Sequence, residues 1–253
     1  MSDSISVVVA GAKGRMGSEV VGAVTAESDL RLVGEVDAGD SLENVLANVK
    51  PDAYVDFTLP DVVFANIEIA LRNGVVPIVG TTGLNPGQIE QVRTWCSQYQ
   101  TGALIAPNFA IGAILLMRFS EIAAKYMPDV EIIEMHHERK LDAPSGTALK
   151  TADMIARGRG SVTRTPMPLN AIETVSGARG GSSAGDIPVH SIRLPGFVAS
   201  EMVIFGGTGQ TLTIRHDSID RKSFMPGVIL ALRSVPQLKS NGGELVYGLE
   251  NLI

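Results

Sequence analysis

The chain has a single cysteine, Cys96, in 253 residues. One thiol excludes an internal disulfide framework and a thiolate metal cluster, and makes a reducing, cytoplasmic setting the simplest expectation. Cys96 itself reads as a small buried hydrophobe. Positive charge is also scarce: 21 Lys and Arg against 27 Asp and Glu leave a net charge of −6. Nucleic acid is therefore not an expected partner, because neutralising phosphates needs a basic face. Long apolar runs are missing too. The longest, "FAIGAILLMRFSEIAAKYM" from Phe109 to Met127, is broken by Arg118 and Glu121. It reads as a core helix, since a membrane span needs about 20 nearly uncharged residues. No membrane partner is expected. The opening "MSDSISVVVAG" is polar and acidic before an apolar run too short for a signal segment.

What is present is 27 glycines and 45% hydrophobic residues, the profile of an ordered α/β protein. "ISVVVAG" (Ile5 to Gly11) is a continuous apolar run ending in glycine, as expected of a strand buried on both faces. Met16, Val20, Val21 and Val24 then fall at helical spacing. "LRLVGEVDA", "DAYVDFTLP" and "VVPIVGTTG" read as further strands. Between the last two, "DVVFANIEIALRNG" predicts a helix that Asp61 caps and Gly74 ends. A helix over "NPGQIEQVRTWCSQY" and a strand "GALIAPN" complete this half. Strand–helix–strand repeated in this way predicts an α/β fold with a doubly wound parallel sheet.

After Asn108 the pattern changes. The Phe109 helix leads to a strand "DVEIIEMHH", a helix "SGTALKTADMIARG", and a Gly-, Ser- and Pro-rich loop from Arg157 to Pro188. Three strands follow: "VHSIRL", "FVASEMVIFG" and "QTLTIRHDS". They predict a second α+β domain with an open antiparallel or mixed sheet, whose uncovered edge or face self-association would protect. The tail, "FMPGVILALRSVPQL" and "GLENLI", regains helical periodicity and is expected to return to the first domain. The expected division is 1–107 with 217–253 as the dinucleotide-binding domain, and 108–216 as the substrate-binding and oligomerisation domain.

"VAGAKGRMG" places Gly11, Gly14 and Gly17 between a strand and a helix. Glycine lets backbone approach a pyrophosphate, and the helix start offers N–H groups and a positive dipole end. Asp37, twenty residues after Gly17, stands where a ribose-binding carboxylate belongs, with Glu35 as its competitor. Lys13 and Arg15 can meet a 2′-phosphate, whereas Asp37 favours a free 2′-hydroxyl, so both nicotinamide cofactors remain open. "VGTTG" (Val79 to Gly83) and "APNF" (Ala106 to Phe109) end two strands at the carboxyl edge, where ligands bind in open α/β sheets.

"EMHHERKLDAPSGTA" (Glu134 to Ala148) carries the remaining chemistry. His136 and His137 point to opposite faces if they lie on a strand, and no cysteine set partners them, so a metal site is not expected. Imidazole suits proton transfer near neutral pH. Lys140 supplies a fixed cation, and Pro144 and Gly146 shape a tight turn. Ser145 or Thr147 can cap the helix carrying Ala148, Ala152 and Ile155, whose start is an anion site. Proton donor, cation and carboxylate cradle together suit reduction of an acidic substrate.

These residues resemble the signature segment of the dihydrodipicolinate reductase family. "VAGAKGRMG", "VGTTG", "APNFAIGA", "GDIPVHSIR" and "TIRHDSIDRKSFMPGV" are similar to the family's other blocks, in its order, over essentially the whole chain. The resemblance implies a Rossmann domain joined to a sheet-built domain that forms a homotetramer. It implies reduction of 4-hydroxy-tetrahydrodipicolinate (dihydrodipicolinate) to tetrahydrodipicolinate by NADH and/or NADPH, in the diaminopimelate route of lysine biosynthesis. It further implies that His136 is the proton donor and Lys140 the charge-stabilising lysine. His137, Lys140, Ser145, Gly146 and Thr147 would hold the cyclic dicarboxylate. Gly11, Ala12, Lys13, Gly14, Arg15 and Met16 would form the pyrophosphate loop, and Asp37 the ribose acid. Gly80, Thr81, Thr82, Ala106, Pro107, Asn108 and Phe109 would lie on the nicotinamide side, with Arg221 and Phe224 as later cofactor contacts. Some members carry an arginine after the ribose acid; here Ala38 stands there, which argues against a strong NADPH preference. Closure on substrate is expected, with Asn108 and the loop after His216 as hinges.

Overall fold

A computed structural model describes residues 4–166, 168 and 170–252. Met167 and Leu169 of the expected Gly/Ser/Pro-rich loop, Ile253 of "GLENLI" and the first three residues lie outside that range. The chain forms two compact units, one from the residues up to Ala110 together with those from Arg221 on, the other from Ile111 to Asp220.

The first unit is built on β1 (Ile5–Ala10), β2 (Leu30–Val36), β3 (Ala53–Asp56), β4 (Val76–Val79) and β5 (Ala103–Ile105). Val7, Val8, Val9, Tyr54, Val55, Ile78 and Leu104 are fully buried, which is why these strands read as unbroken apolar runs rather than as alternating ones. The intervening helices are α1 (Gly17–Ala26), α2 (Leu42–Val49), α3 (Pro60–Arg72) and α4 (Pro86–Tyr99). Asn85 and Gln88 exchange side-chain-to-backbone bonds at the start of α4, a full capping box. Helix α3 departs from expectation at its start: Pro60 occupies the first helical position, so Leu59 is the cap residue and Asp61 falls in the first turn without capping.

A helix and a strand of this unit were not anticipated. Helix α2 buries only Leu42 and Leu46, too short a pattern to register. The other is a strand, numbered below as β11, at Leu245–Tyr247 beyond the helical tail.

The strand order of this all-parallel sheet is β11-β5-β4-β3-β1-β2. Neighbours leave β1 in opposite directions, so the topological switch point opens at the carboxyl ends of β1 and β3, where open α/β sheets bind ligands.

The second unit opens with α5 (Ile111–Ala123), β6 (Asp129–His136) and α6 (Gly146–Arg159). A two-residue strand β7 (Gly181–Ser182), then β8 (Pro188–Arg193), β9 (Ala199–Gly207) and β10 (Gln210–Ser218), complete a five-stranded mixed sheet ordered β10-β9-β6-β8-β7. Ser145 caps α6, its hydroxyl accepting from Ala148 N at 3.2 Å. Helices α5 and α6 pack on each other, on the face holding Ile132, Val203 and Phe205, all fully buried. The tail returns as α7 (Met225–Arg233), α8 (Val235–Ser240), β11 (Leu245–Tyr247) and a short 3-10 turn, Leu249–Asn251. Its last segment is thus a tight turn rather than the helix that "GLENLI" suggests, and β11 pairs in parallel with β5. Among the described residues no helix is long and apolar enough to cross a membrane.

Candidate active site

In the first unit, the turn after β1 is set by steric exclusion. Gly11 has φ +72°, and a Cβ there would stand 2.4 Å from the Phe57 carbonyl oxygen; one on Gly17 would stand 1.9 Å from the Gly11 carbonyl oxygen. No side chain caps α1 at Met16; Ser18 N donates to the Gly14 carbonyl at 3.0 Å, and the helix start otherwise suits an anion. Ala12 is buried, while Lys13, Gly14 and Arg15 are exposed.

Asp37 reaches back to this turn: its Oδ2 accepts from Lys13 N at 2.7 Å and its Oδ1 from Ala38 N. The Lys13 bond first, then that from Ala38, holds its carboxyl below the ordinary carboxylate range. Glu35 lies within β2 opposite Val9 and is exposed. Beside them opens a cleft of about 290 Å³ lined by Gly11, Asp37, Ala38, Thr58, Leu59 and Asn66, among others. The turn, helix start, acid and cleft fit a dinucleotide: backbone stands where a pyrophosphate needs close approach, and a carboxylate at the mouth of an apolar cleft.

The carboxyl ends of β3 and β4 are joined by Asp56, which is fully buried. It accepts from Thr58 N (2.9 Å), Thr58 Oγ1 (2.7 Å), Thr81 Oγ1 (2.6 Å), Asn66 Nδ2 (3.2 Å) and the Tyr54 hydroxyl. Thr81 therefore points inward and Thr82 is exposed. Gly80 sits where a Cβ would meet the Phe57 ring at 2.2 Å. Phe57 packs on Phe109 with ring centroids 5.8 Å apart. Ala106 and Phe109 are buried, Pro107 is exposed, and Asn108 Oδ1 accepts from Ala110 N. Arg221 and Phe224 bound a 3-10 turn before α7.

In the second unit, His136 ends β6. Its Nδ1 lies 2.5 Å from Glu134 Oε2, two residues back on the same strand face. Arg193, paired with His136 across β8, grips Glu134 through both terminal nitrogens at 2.7 and 3.0 Å, and donates to the Asp142 carbonyl at 2.6 Å. Burial works against the Glu134 charge, but bonds from His136, Arg193 and Ser191 outweigh it and hold the carboxyl at about 2. A carboxylate cannot donate, so the bonded imidazole nitrogen carries the hydrogen, and Nε2 is the ring nitrogen not committed to Glu134.

Lys140 pairs with Asp142 at 2.7 Å, and its own N–H donates to the His137 carbonyl. Arg193 thus ties the histidine strand and the Lys140 loop to one guanidinium. His137 Nδ1 is buried without a protein partner. A Cβ on Gly146 would meet nothing within 4 Å, so space stands open in front of the α6 start. Among the described residues no cluster of three or more His, Cys, Asp or Glu side chains is arranged to hold a metal.

Glu134, Arg193 and Asp56 were not singled out from the sequence. The i, i+2 spacing of Glu134 and His136 on a strand is a signal for the first; nothing local marks Arg193.

The switch-point turn, its helix and Asp37 define a Rossmann-type nucleotide-binding unit, of the kind that serves nicotinamide-dependent oxidoreductases. The match extends to both halves: residues 5–109 fit the family model for the dihydrodipicolinate reductase N-terminus, and residues 112–253 that for its C-terminus. The chain belongs to the dihydrodipicolinate reductase family. It is 46% identical to the 4-hydroxy-tetrahydrodipicolinate reductase of Syntrophomonas wolfei, over 100% of both chains. It is 48% identical to that of Geobacillus kaustophilus over 99% of each. The solved structure of dipicolinate-bound dihydrodipicolinate reductase from Paenisporosarcina sp. TG-14 matches with a TM-score of 0.86 at 43% identity, covering 99% of this chain and 100% of that one.

Proposed function

We propose that this protein reduces 4-hydroxy-tetrahydrodipicolinate, as dihydrodipicolinate after loss of water, to tetrahydrodipicolinate in the diaminopimelate route to lysine, in the cytoplasm. The observation that carries the reading is His136: Nδ1 is committed to a buried carboxylate, and the same Arg193 that holds that carboxylate anchors the loop to Lys140 and the α6 start. The bound dinucleotide supplies a hydride to the end of the ring's conjugated C=C–C=N system. The electron pair that this displaces leaves an electron-rich enamine carbon next to the new C–H bond. His136 protonates that carbon from Nε2, restoring the C=N bond, and regains its proton from solvent. Lys140 leaves Asp142 to offset negative charge on the ring and its carboxylates. Ser145, Gly146 and Thr147 offer N–H groups and hydroxyls at the α6 start to a substrate carboxylate, and His137 Nδ1 takes a partner it otherwise lacks.

In this reading residues 1–107 and 217–253 bind the dinucleotide, and 108–216 bind substrate and oligomerise. The turn residues Gly11 to Met16 hold the pyrophosphate, Asp37 the ribose, and Gly80 to Thr82 with Ala106 to Phe109 the nicotinamide side. Asp37, with Ala38 after it, supports use of NADH as well as NADPH. A homotetramer is supported by the second sheet's other face, where Ile133, Ile192, Met202 and Ile204 stay half-exposed opposite the face that α5 and α6 cover.

The test follows the absorbance loss of NADH and of NADPH separately, with the product of the preceding synthase as substrate. Consumption that requires this substrate supports the reading; dinucleotide binding without turnover would point instead to a non-catalytic sensor.

A further inference from the structure

Strand β9 carries a second buried carboxylate that the chemistry above does not use. Glu201 pairs directly with Glu134 on β6 and with His216 on β10. Directly opposed residues project from the same face, so the three form a row under α5 and α6. Glu134 and Glu201 are 0% and 5% exposed.

The side chains that act on Glu201 are Thr151 and Glu134, neither of them a cation. Arg193 spends both terminal nitrogens on Glu134 and the backbone, and His136 is also on Glu134. His216 is held below its ordinary value by burial, against the pull of Asp217. The fully buried polar side chains of the two helices are Thr151 of α6 and Ser120 of α5. Two carboxylates side by side, with the one guanidinium on the far side of Glu134, cannot both ionise without a large penalty.

Hydrogen-bond accounting points the same way. Thr151 has one hydroxyl proton and donates it to the Thr147 carbonyl at 3.0 Å. Glu201 bonds the same hydroxyl, and with that proton on the Thr147 carbonyl a protonated carboxyl is the partner that completes the bond. Glu201 Oε1 is buried with no partner, a state that costs a neutral acid far less than an anion.

We propose that Glu201 is an uncharged carboxylic acid and a positioning residue for the reduction: its O–H···Thr151 bond ties the first turns of α6, where the substrate carboxylates bind, to the strand that presents Glu134 and His136. This rests on the reading of His136 and the α6 start as the substrate site. Ionisation of Glu201 sets its lone pairs against those of Thr151 and adds a second negative charge where a diacid must bind. Burial first, together with the neighbouring Glu134 charge, pushes Glu201 up to about 7, so that loss falls in the neutral range.

The test combines infrared spectroscopy of the whole chain, with and without ¹³C-labelled glutamate, and kinetics of Glu201→Gln, which keeps a neutral donor. The wild type should show a protonated glutamic acid carbonyl band at about pH 6 that fades over the next ~2 pH units; Glu201→Gln should lack it. Glu201→Gln should match wild-type kcat within about twofold at low pH. Above neutrality it should escape a rise in the wild-type KM for the diacid of about tenfold per pH unit, with the KM for NADH unmoved in both. If Glu201→Gln does not fold, Thr151→Val should shift the acid band and raise the diacid KM; an unmoved band overturns the bond. No acid band in the wild type, or the same alkaline rise in Glu201→Gln, overturns the proposal. A band in a chain inactive on the cyclic diacid leaves Glu201 assigned and removes the functional reading instead.

Discussion

Glu134→Gln separates the two tasks of the buried carboxylate, holding Arg193 and orienting His136. In the wild type Glu134 is held at about 2 against an ordinary value of 4.5, with its side chain 0% exposed. That difference corresponds to about 3 kcal/mol of native-state stability at neutral pH. The sign follows from the direction: a lowered carboxyl stabilises fully above its ordinary value, and the contribution drains away as pH falls from about 4.5 toward 2. Glutamine removes the charge but leaves Arg193 buried, and breaking a buried pair from one side costs about 3–5 kcal/mol. Thermal and urea unfolding at neutral pH should therefore show a loss of that size, and this part of the wild type's acid sensitivity should disappear. Glutamine can also present an N–H to His136, so the imidazole is no longer held with its proton on Nδ1. The kcat should fall by about 10²-fold, in the range of a general acid's contribution, while NADH affinity stays constant. A folded Glu134→Gln enzyme with wild-type stability and kcat would refute the account of this triad.

Asp37→Ala removes the carboxylate that accepts from Lys13 N; the KM for NADH should rise about tenfold or more, as loss of a charged hydrogen bond implies, with the diacid KM unchanged. Gly17→Ala puts a methyl 1.9 Å from the Gly11 carbonyl oxygen, so the turn must open; fluorescence titration should find dinucleotide binding abolished. Lys140→Ala should lower kcat by about two powers of ten, measured at saturating diacid. Cys96 is buried and its thiol is pushed up to about 12 by burial; a thiol-specific reagent should fail to label the native chain and label it once on unfolding.

Much of the fold is legible because burial writes itself into the chain. The strands of the parallel sheet are apolar on both faces, so Ile5–Ala10 and Val76–Val79 stand out as continuous runs. Ser145 caps α6 as its hydroxyl and position suggest. Most of the misses depend on a neighbour remote in sequence or on a pattern too short to repeat. Strand β11 has three residues and exists because β5 offers it an edge. Asp61 looks like a cap until Pro60 claims the first helical position. Asp56 ends an apolar strand and Glu134 is one of three acids on β6, and only the folded sheet supplies their partners, Thr81 and Arg193. The local motifs name the reacting groups; the strand register supplies the residues that hold them.

The most direct measurement is the steady-state kcat of His136→Ala beside the wild type, at saturating NADH and cyclic imine dicarboxylate. A fall of about 10²-fold or more is expected, with dinucleotide affinity unchanged. A variant that turns over within about twofold of the wild type would take the imidazole out of the chemistry and contradict the central claim.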